Sequence, residues 1–80
     1  MEVNVLAFGI VKDIFSGSSI RIHVPEGASA AELKTALEQT YPRLQQLASW
    51  LLAVNNEYAA ADTRIREKDE IALIPPVSGG

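Results

Sequence analysis

One segment of the chain carries the signals of an α-helix, and the segments on both sides of it alternate in the manner of β-strands. The helix is predicted to begin at Ser29, because Ser29 and Glu32 have the spacing of a capping box. Leu33, Leu37 and Tyr41 follow at four-residue intervals and give the helix one apolar side. We expect the helix to end near Tyr41, since a residue that precedes proline is disfavoured in helical geometry. A helix with one apolar side must bury that side against another element.

Five segments of the chain are predicted strands. Residues 2–8 alternate between two partly apolar faces, which predicts a strand that is central in its sheet, and residues 19–24 alternate between apolar and polar side chains. The other three follow the helix: the sequence LLAVN, a brief strand around Tyr58, and the sequence EIALI. This order predicts an α+β fold of the β-grasp, or ubiquitin-like, kind: a mixed sheet of about five strands with one main helix across one face.

Composition limits both the organisation of the chain and its function. With 80 residues, 48% of them apolar and 21% charged, we expect one domain. The net charge is −3 and the seven basic residues are scattered, which argues against a nucleic-acid partner. The sequence has no long apolar run and no signal-peptide pattern, so we expect a cytoplasmic protein without a membrane partner. Without cysteine, and with one histidine, no cysteine-ligated or histidine-rich metal site is predicted.

The C-terminal sequence PPVSGG is the candidate functional segment. Residues 1–74 are predicted to form the β-grasp domain and residues 75–80 an extended tail, because Pro75 and Pro76 cannot donate hydrogen bonds to a sheet. Gly79 and Gly80 have no side chain and therefore fit a narrow channel. The carboxyl group of Gly80 is then the chemical group on offer. An ATP-dependent partner can convert it to an acyl-adenylate, which sulfur or nitrogen nucleophiles displace.

The sequence resembles the small subunit of molybdopterin synthase, the family of MoaD-like sulfur carriers. The likeness covers almost the whole chain, with VNVLAFGIVKDI near the start, LLAVNNEYA in the middle and DEIALIPPVSGG at the end. The last of these is the specific part, because a terminal Gly-Gly alone is a weak signal. The chain departs from the family at Lys68, where family members usually carry a glycine suited to left-handed backbone. This departure bears on the turn before the last strand and not on the tail.

The resemblance implies a sulfur carrier protein that is not an enzyme on its own. An E1-like adenylyltransferase would use ATP to adenylate Gly80, and a sulfur donor enzyme would supply the sulfur of the resulting thiocarboxylate. The tail would then insert into the large subunit of molybdopterin synthase and donate this sulfur to cyclic pyranopterin monophosphate. Two such transfers build the dithiolene that binds molybdenum. The resemblance implies no stably bound cofactor.

The resemblance also implies a set of partner-binding residues outside the two glycines. These are Phe8, Lys12, Tyr58, Ile74, Pro75, Pro76, Val77 and Ser78. An exposed apolar patch would distinguish a docking role for Phe8, Tyr58 and Ile74 from an ordinary place in the core. Lys12 would pair with an acidic group of a partner, or else is a solvated surface lysine.

Other functions and roles remain open at this point. A sulfur carrier for thiamine or another thio-compound would share the Gly-Gly chemistry, a ubiquitin-like modifier would join Gly80 to lysines, and a binding module would not need the tail. An independent enzyme is not indicated, because the sequence has no nucleophile–base constellation and no phosphate loop. We expect His23 to face solvent, Trp50 to fill the core or an edge, and Asp69 and Glu70 to be turn charges.

Overall fold

The computed structural model describes residues 1–47 and 49–75. The elements in chain order are β1 (Glu2–Ala7), α1 (Val11–Phe15), β2 (Ser19–His23), α2 (Ala30–Thr40), a 3-10 turn (Pro42–Gln46), β3 (Leu51–Val54), β4 (Glu57–Tyr58) and β5 (Ile71–Ile74). The five strands form one mixed sheet in the order β2-β1-β5-β3-β4. The predicted β-grasp fold is confirmed. Neither helix in the described part of the chain has the length and apolar character needed to cross a membrane.

Part of the predicted tail cannot be compared with the structure. Pro76, Val77, Ser78, Gly79 and Gly80 lie outside the described residues. The division of the chain into a domain of residues 1–74 and a tail of residues 75–80 therefore stays a prediction.

The first and last strands lie side by side in the sheet. β1 pairs with β5 in parallel, with Val5 opposite Ile71 and Ala7 opposite Leu73. β1 also pairs with β2, and β5 with β3, in both cases antiparallel. The predicted central position of β1 is wrong by one strand, because β1 lies inside the sheet between β2 and β5 and the central strand is β5. Because the two parallel strands cannot be joined by a tight turn, the intervening chain includes α2, which crosses one face.

Helix α2 begins and packs as its sequence predicts. The Glu32 backbone N–H donates to the Ser29 hydroxyl at 3.2 Å, and the Ser29 backbone N–H donates to the Glu32 carboxylate at 3.0 Å, which completes the capping box. Leu33 and Leu37 are fully buried. Each such side chain contributes about 1.5–3 kcal/mol when it leaves water. Tyr41 caps the C-terminal end of α2, and its ring lies 4.7 Å from that of Phe15 in α1.

The core lies between α2 and the inner face of the sheet. Its fully buried large side chains come from the two helices, the 3-10 turn, strands β1 and β5, and the segment before β5: Leu33, Leu37, Leu44, Ile65, Ile71, Leu73, Val3, Val5 and Val11. The sequence predicts an exposed turn for RIREKDE, but Ile65 is buried and Asp69 is half-buried, whereas the other charged residues of this segment are exposed. The Ile65 backbone N–H donates to the Ala28 carbonyl at 2.8 Å, so this segment is held close to the start of α2.

The turn before β5 does not need the glycine that Lys68 replaces. Among the described residues, the non-glycine positions with positive φ are Ser16, Asn55 and Asn56. Lys68 is not one of them, so its side chain causes no left-handed strain. The Asp69 carboxylate instead holds this turn by accepting the Arg66 backbone N–H at 2.8 Å.

Replacing Leu37 with alanine tests the contribution of the α2 stripe. We expect Leu37→Ala to lower the free energy of unfolding by about 2–5 kcal/mol, because it leaves a cavity between the helix and the sheet. Leu51→Ala is the matched control, since Leu51 is 51% exposed and its loss should cost under about 1 kcal/mol. Urea denaturation of both variants measures the difference. Equal losses would contradict this account of the core.

Candidate functional site

The outer face of the sheet, which faces away from α2, has a polar half and an apolar half. Its polar half consists of side chains of β1 and β2: Glu2, Asn4, Arg21 and His23, all exposed. The two carboxylate oxygens of Glu2 lie 3.8 Å from Arg21 Nη1 and 3.8 Å from His23 Nδ1. These exposed pairs are hydrated surface contacts that contribute little to stability.

The apolar half follows a ladder of paired residues across four strands. Leu6 in β1 pairs with Ala72 in β5, Ala72 with Ala53 in β3, and Ala53 with Tyr58 in β4. Paired residues of neighbouring strands point to the same side of a sheet. The two alanines therefore lie between larger side chains, and the surface is depressed along the middle of the ladder.

A pocket of about 300 Å³ occupies this depression. The apolar residues that line it are Phe8, Ala53, Tyr58, Ala72 and Ile74, which we call the apolar surface, and Asn56 adds a polar rim. Phe8 is 46% exposed and Tyr58 is 72% exposed, so both aromatic rings project into solvent. Exposed aromatic side chains around a shallow depression are typical of surfaces that bind another protein.

The structure brings together three of the residues that the resemblance implies for docking. Phe8, Tyr58 and Ile74 line the same pocket, and the exposed apolar patch that a docking role requires is present. Ala53 and Ala72 were not anticipated as part of it, although the alternation in LLAV and IALI already places them on the face opposite the buried leucines.

Lys12 and Pro75 are the other described residues for which the sequence predicts a binding role. Lys12 is exposed on α1 and does not line the pocket. Pro75, the first residue of the predicted tail, is half-buried. The other implied docking residues, Pro76, Val77 and Ser78, lie outside the described part of the chain, as do Gly79 and Gly80. The binding roles of all these residues stay predictions.

Gly9 packs against the point where the predicted tail begins. Its φ is +56°, and a β-carbon at this position would lie 3.3 Å from Cγ of Pro75. The backbone after β1 therefore turns tightly beside Pro75 in a conformation that side chains disfavour. No local sequence pattern identifies Gly9 as a residue of the site, because this contact depends on the parallel pairing of β1 with β5.

The other residues with a predicted place in the fold are Trp50, His23, Asp69 and Glu70. Trp50 is only 5% exposed, which confirms that it fills the core. Lys34 Nζ lies 4.6 Å from the centre of the Trp50 ring and donates a hydrogen bond to the Trp50 carbonyl at 3.2 Å. His23 is exposed as predicted, and Asp69 and Glu70 belong to the turn before β5.

Across residues 1–47 and 49–75, no polar or charged side chain is buried. The feature of these residues that fits a binding role is the exposed apolar surface. The carboxyl group of Gly80 lies outside the described residues, and its reactive role stays a prediction.

One protein family and one individual protein each match nearly the whole chain. The ThiS family matches residues 5–80. The molybdopterin synthase sulfur carrier subunit of Dictyostelium discoideum is 40% identical, and the match covers 99% of this chain and 96% of that protein.

Two solved structures are similar in fold over 100% of both chains. SAMP1 from Haloferax volcanii has a TM-score of 0.83 with 25% identity. A chain in the complex of subunits 1 and 2 of molybdopterin-converting factor from Helicobacter pylori has a TM-score of 0.69 with 27% identity.

Replacing Gly9 with alanine tests the packing beside the tail. We expect Gly9→Ala to lower the free energy of unfolding by about 1–2 kcal/mol, because alanine disfavours positive φ and its methyl group crowds Pro75. Gly17→Ala is the matched control: Gly17 has no positive φ of this kind, and its added β-carbon would meet only Ser19 O, at 4.0 Å. Urea denaturation measures both. If the two substitutions have equal effects, the close contact with Pro75 is unimportant.

Proposed function

This chain belongs to the ThiS family, and on that premise we propose that it is the sulfur carrier subunit of a molybdopterin synthase. The observation that carries the proposal is the full-length identity of 40% to a curated subunit of that name. The family match also extends through Gly80, the residue whose carboxyl group the chemistry requires.

The proposed chemistry takes place at the Gly80 carboxyl group. An E1-like adenylyltransferase joins this carboxylate to AMP from ATP, and pyrophosphate leaves. Sulfur supplied at the oxidation level of sulfide by a donor enzyme then attacks the acyl carbon, AMP leaves, and a thiocarboxylate remains. In the synthase, the thiocarboxylate sulfur bonds to cyclic pyranopterin monophosphate, and water cleaves the resulting thioester so that the sulfur stays on the acceptor and Gly80 returns to a carboxylate. The chain binds no resident cofactor in this proposal, since ATP is consumed by the activating enzyme.

The body of the protein positions the tail by docking on each partner. Six residues span at most about 20 Å, so an active site that receives Gly80 must lie close to Pro75. Ile74, the residue before Pro75, is part of the apolar surface. A partner that covers this surface therefore lies where the tail can enter it. The solved Helicobacter pylori complex of subunits 1 and 2 supports a large subunit as that partner.

A second candidate function is that of a ubiquitin-like protein modifier. The likeness to SAMP1, a small archaeal modifier protein, covers the whole of both chains and motivates it. The two functions share the adenylated Gly80 and differ in the nucleophile, which is sulfur for a carrier and a lysine amine for a modifier. A carrier for thiamine or another thio-compound would differ only in the final acceptor. In each case we place the protein in the cytoplasm, with neither nucleic acid nor membrane as a partner.

Mass spectrometry tests the proposed chemistry at Gly80. Incubation with the activating enzyme, ATP and the sulfur donor should give a species heavier by the difference between sulfur and oxygen at the C-terminus. Deletion of Gly80 should abolish this species, whereas Gly17→Ala should leave it unchanged. Failure of the intact protein to form it would overturn the carrier function. Isopeptide bonds from Gly80 to lysines, with no thiocarboxylate, would favour the modifier.

Substitutions on the apolar surface test docking. We expect the double variant Phe8→Ala, Tyr58→Ala to bind the large subunit at least about tenfold more weakly, because exposed aromatic residues dominate the energetics of such interfaces. The matched control is Arg21→Ala, His23→Ala on the polar half of the same face, which should bind normally. Isothermal titration calorimetry measures affinity, and thermal unfolding checks that both variants fold. Equal affinities for the two variants would show that the partner binds elsewhere.

A further inference from the structure

A second, polar pocket of about 310 Å³ adjoins the apolar surface at the edge of the sheet. It lies between the β3–β4 hairpin and the segment that leads to β5. Arg64 and Arg66 line it, and Tyr58 borders both this pocket and the apolar one. The chain as a whole is acidic, with a net charge of −3. Two arginines in one pocket are therefore a local concentration of positive charge on an acidic protein.

The two arginines share one side of the segment because of the residue between them. Ile65 is buried, and its neighbours in an extended segment point the opposite way. The Arg64 backbone pairs with Ser29 in an isolated antiparallel β-bridge, and Arg64 Nη1 donates to the Gly27 carbonyl at 2.6 Å. The Arg66 backbone N–H donates to Asp69. The backbone that carries both guanidinium groups is therefore fixed before any ligand binds.

In the described part of the chain, no carboxylate forms an ion pair with either guanidinium group. Asp69 lines the pocket, but one of its oxygens accepts the Arg66 backbone N–H and the other accepts Asn55 Nδ2 at 3.0 Å. Glu57 also lines the pocket. Within residues 1–47 and 49–75, no carboxylate oxygen lies within 4.0 Å of a guanidinium nitrogen of Arg64 or Arg66, since the ion pairs there involve Glu2.

We propose that Arg64 and Arg66 bind a carboxylate side chain of the protein that covers the apolar surface. This inference rests on the proposed function for the identity of that protein. A guanidinium group presents paired N–H donors that match the two oxygens of a carboxylate. Because Tyr58 borders both pockets, a protein bound to the apolar surface can contact the two arginines in the same complex. Glu57 lines the same pocket without an ion pair to either arginine, so its negative charge competes with the partner's carboxylate by repelling it.

Charge-matched variants separate this contact from a general effect of net charge. Arg66→Gln and Arg21→Gln each change the net charge from −3 to −4, but Arg21 lies on the opposite edge strand, β2. The association rate and affinity for the synthase large subunit, and for the activating enzyme, are measured by surface plasmon resonance at low and high salt. We expect Arg66→Gln to weaken binding to at least one of them by about tenfold at low salt, and Arg21→Gln by less than twofold. High salt should reduce the difference.

Glu57→Gln should change the binding affinity in the opposite direction to Arg66→Gln. Removal of this competing carboxylate should strengthen binding to the same partner about threefold, whereas Glu38→Gln on α2, with the same change in net charge, should not. Arg66 carries the test rather than Arg64, since the Arg64 side chain also holds the Gly27 carbonyl. Thermal unfolding confirms that each variant folds.

The outcomes distinguish this inference from the proposed function. If Arg66→Gln and Arg21→Gln bind both partners equally while the wild type still delivers sulfur, the arginine contact is wrong and the carrier function stands. If Arg66→Gln weakens binding but no thiocarboxylate forms on Gly80, the contact stands and the carrier function is wrong. If the wild type binds neither partner, both are overturned.

Discussion

The parallel pairing of β1 with β5 is the constraint on which the site depends. The C-terminal ends of parallel neighbouring strands lie side by side, so the residues at the ends of β1 and β5 meet although they are far apart in sequence. Phe8 and Gly9, which follow β1, lie beside Ile74, the last residue of β5, and Pro75, the residue after it. This one pairing therefore places an aromatic side chain of the apolar surface, and the glycine that packs on the tail, at the point where the tail begins.

Local sequence signals predicted the elements of the fold because each signal acts within a few residues. The capping box of Ser29 and Glu32 and the leucine stripe of α2 depend only on helical spacing. The floor of the apolar surface depends on register: Ala53 and Ala72 meet because β3 and β5 pair at that step and not one residue along. The burial of Ile65 likewise depends on a bridge between Ser29 and Arg64, which no local pattern encodes.

The described body and the predicted tail have separate physical tasks. A carboxyl that partner enzymes must activate and modify has to be presented outside the fold, and the prolines at positions 75 and 76 favour an extended exit. In the proposed function the body contributes recognition, and the sheet holds the exposed side chains of the apolar surface in place for it.

An apolar surface alone does not fix the orientation of a partner, because the hydrophobic effect is non-directional. The tail begins after Ile74, whereas the arginine pocket lies beside the turn that precedes Ile71, and the strand between them spans about 10 Å at 3.3 Å per residue. A charge contact at that distance from the tail limits rotation about the apolar contact, as a second point of attachment does. In the proposed complex, the apolar surface supplies affinity near the tail, and Arg64 and Arg66 supply the orientation that directs the tail into the partner.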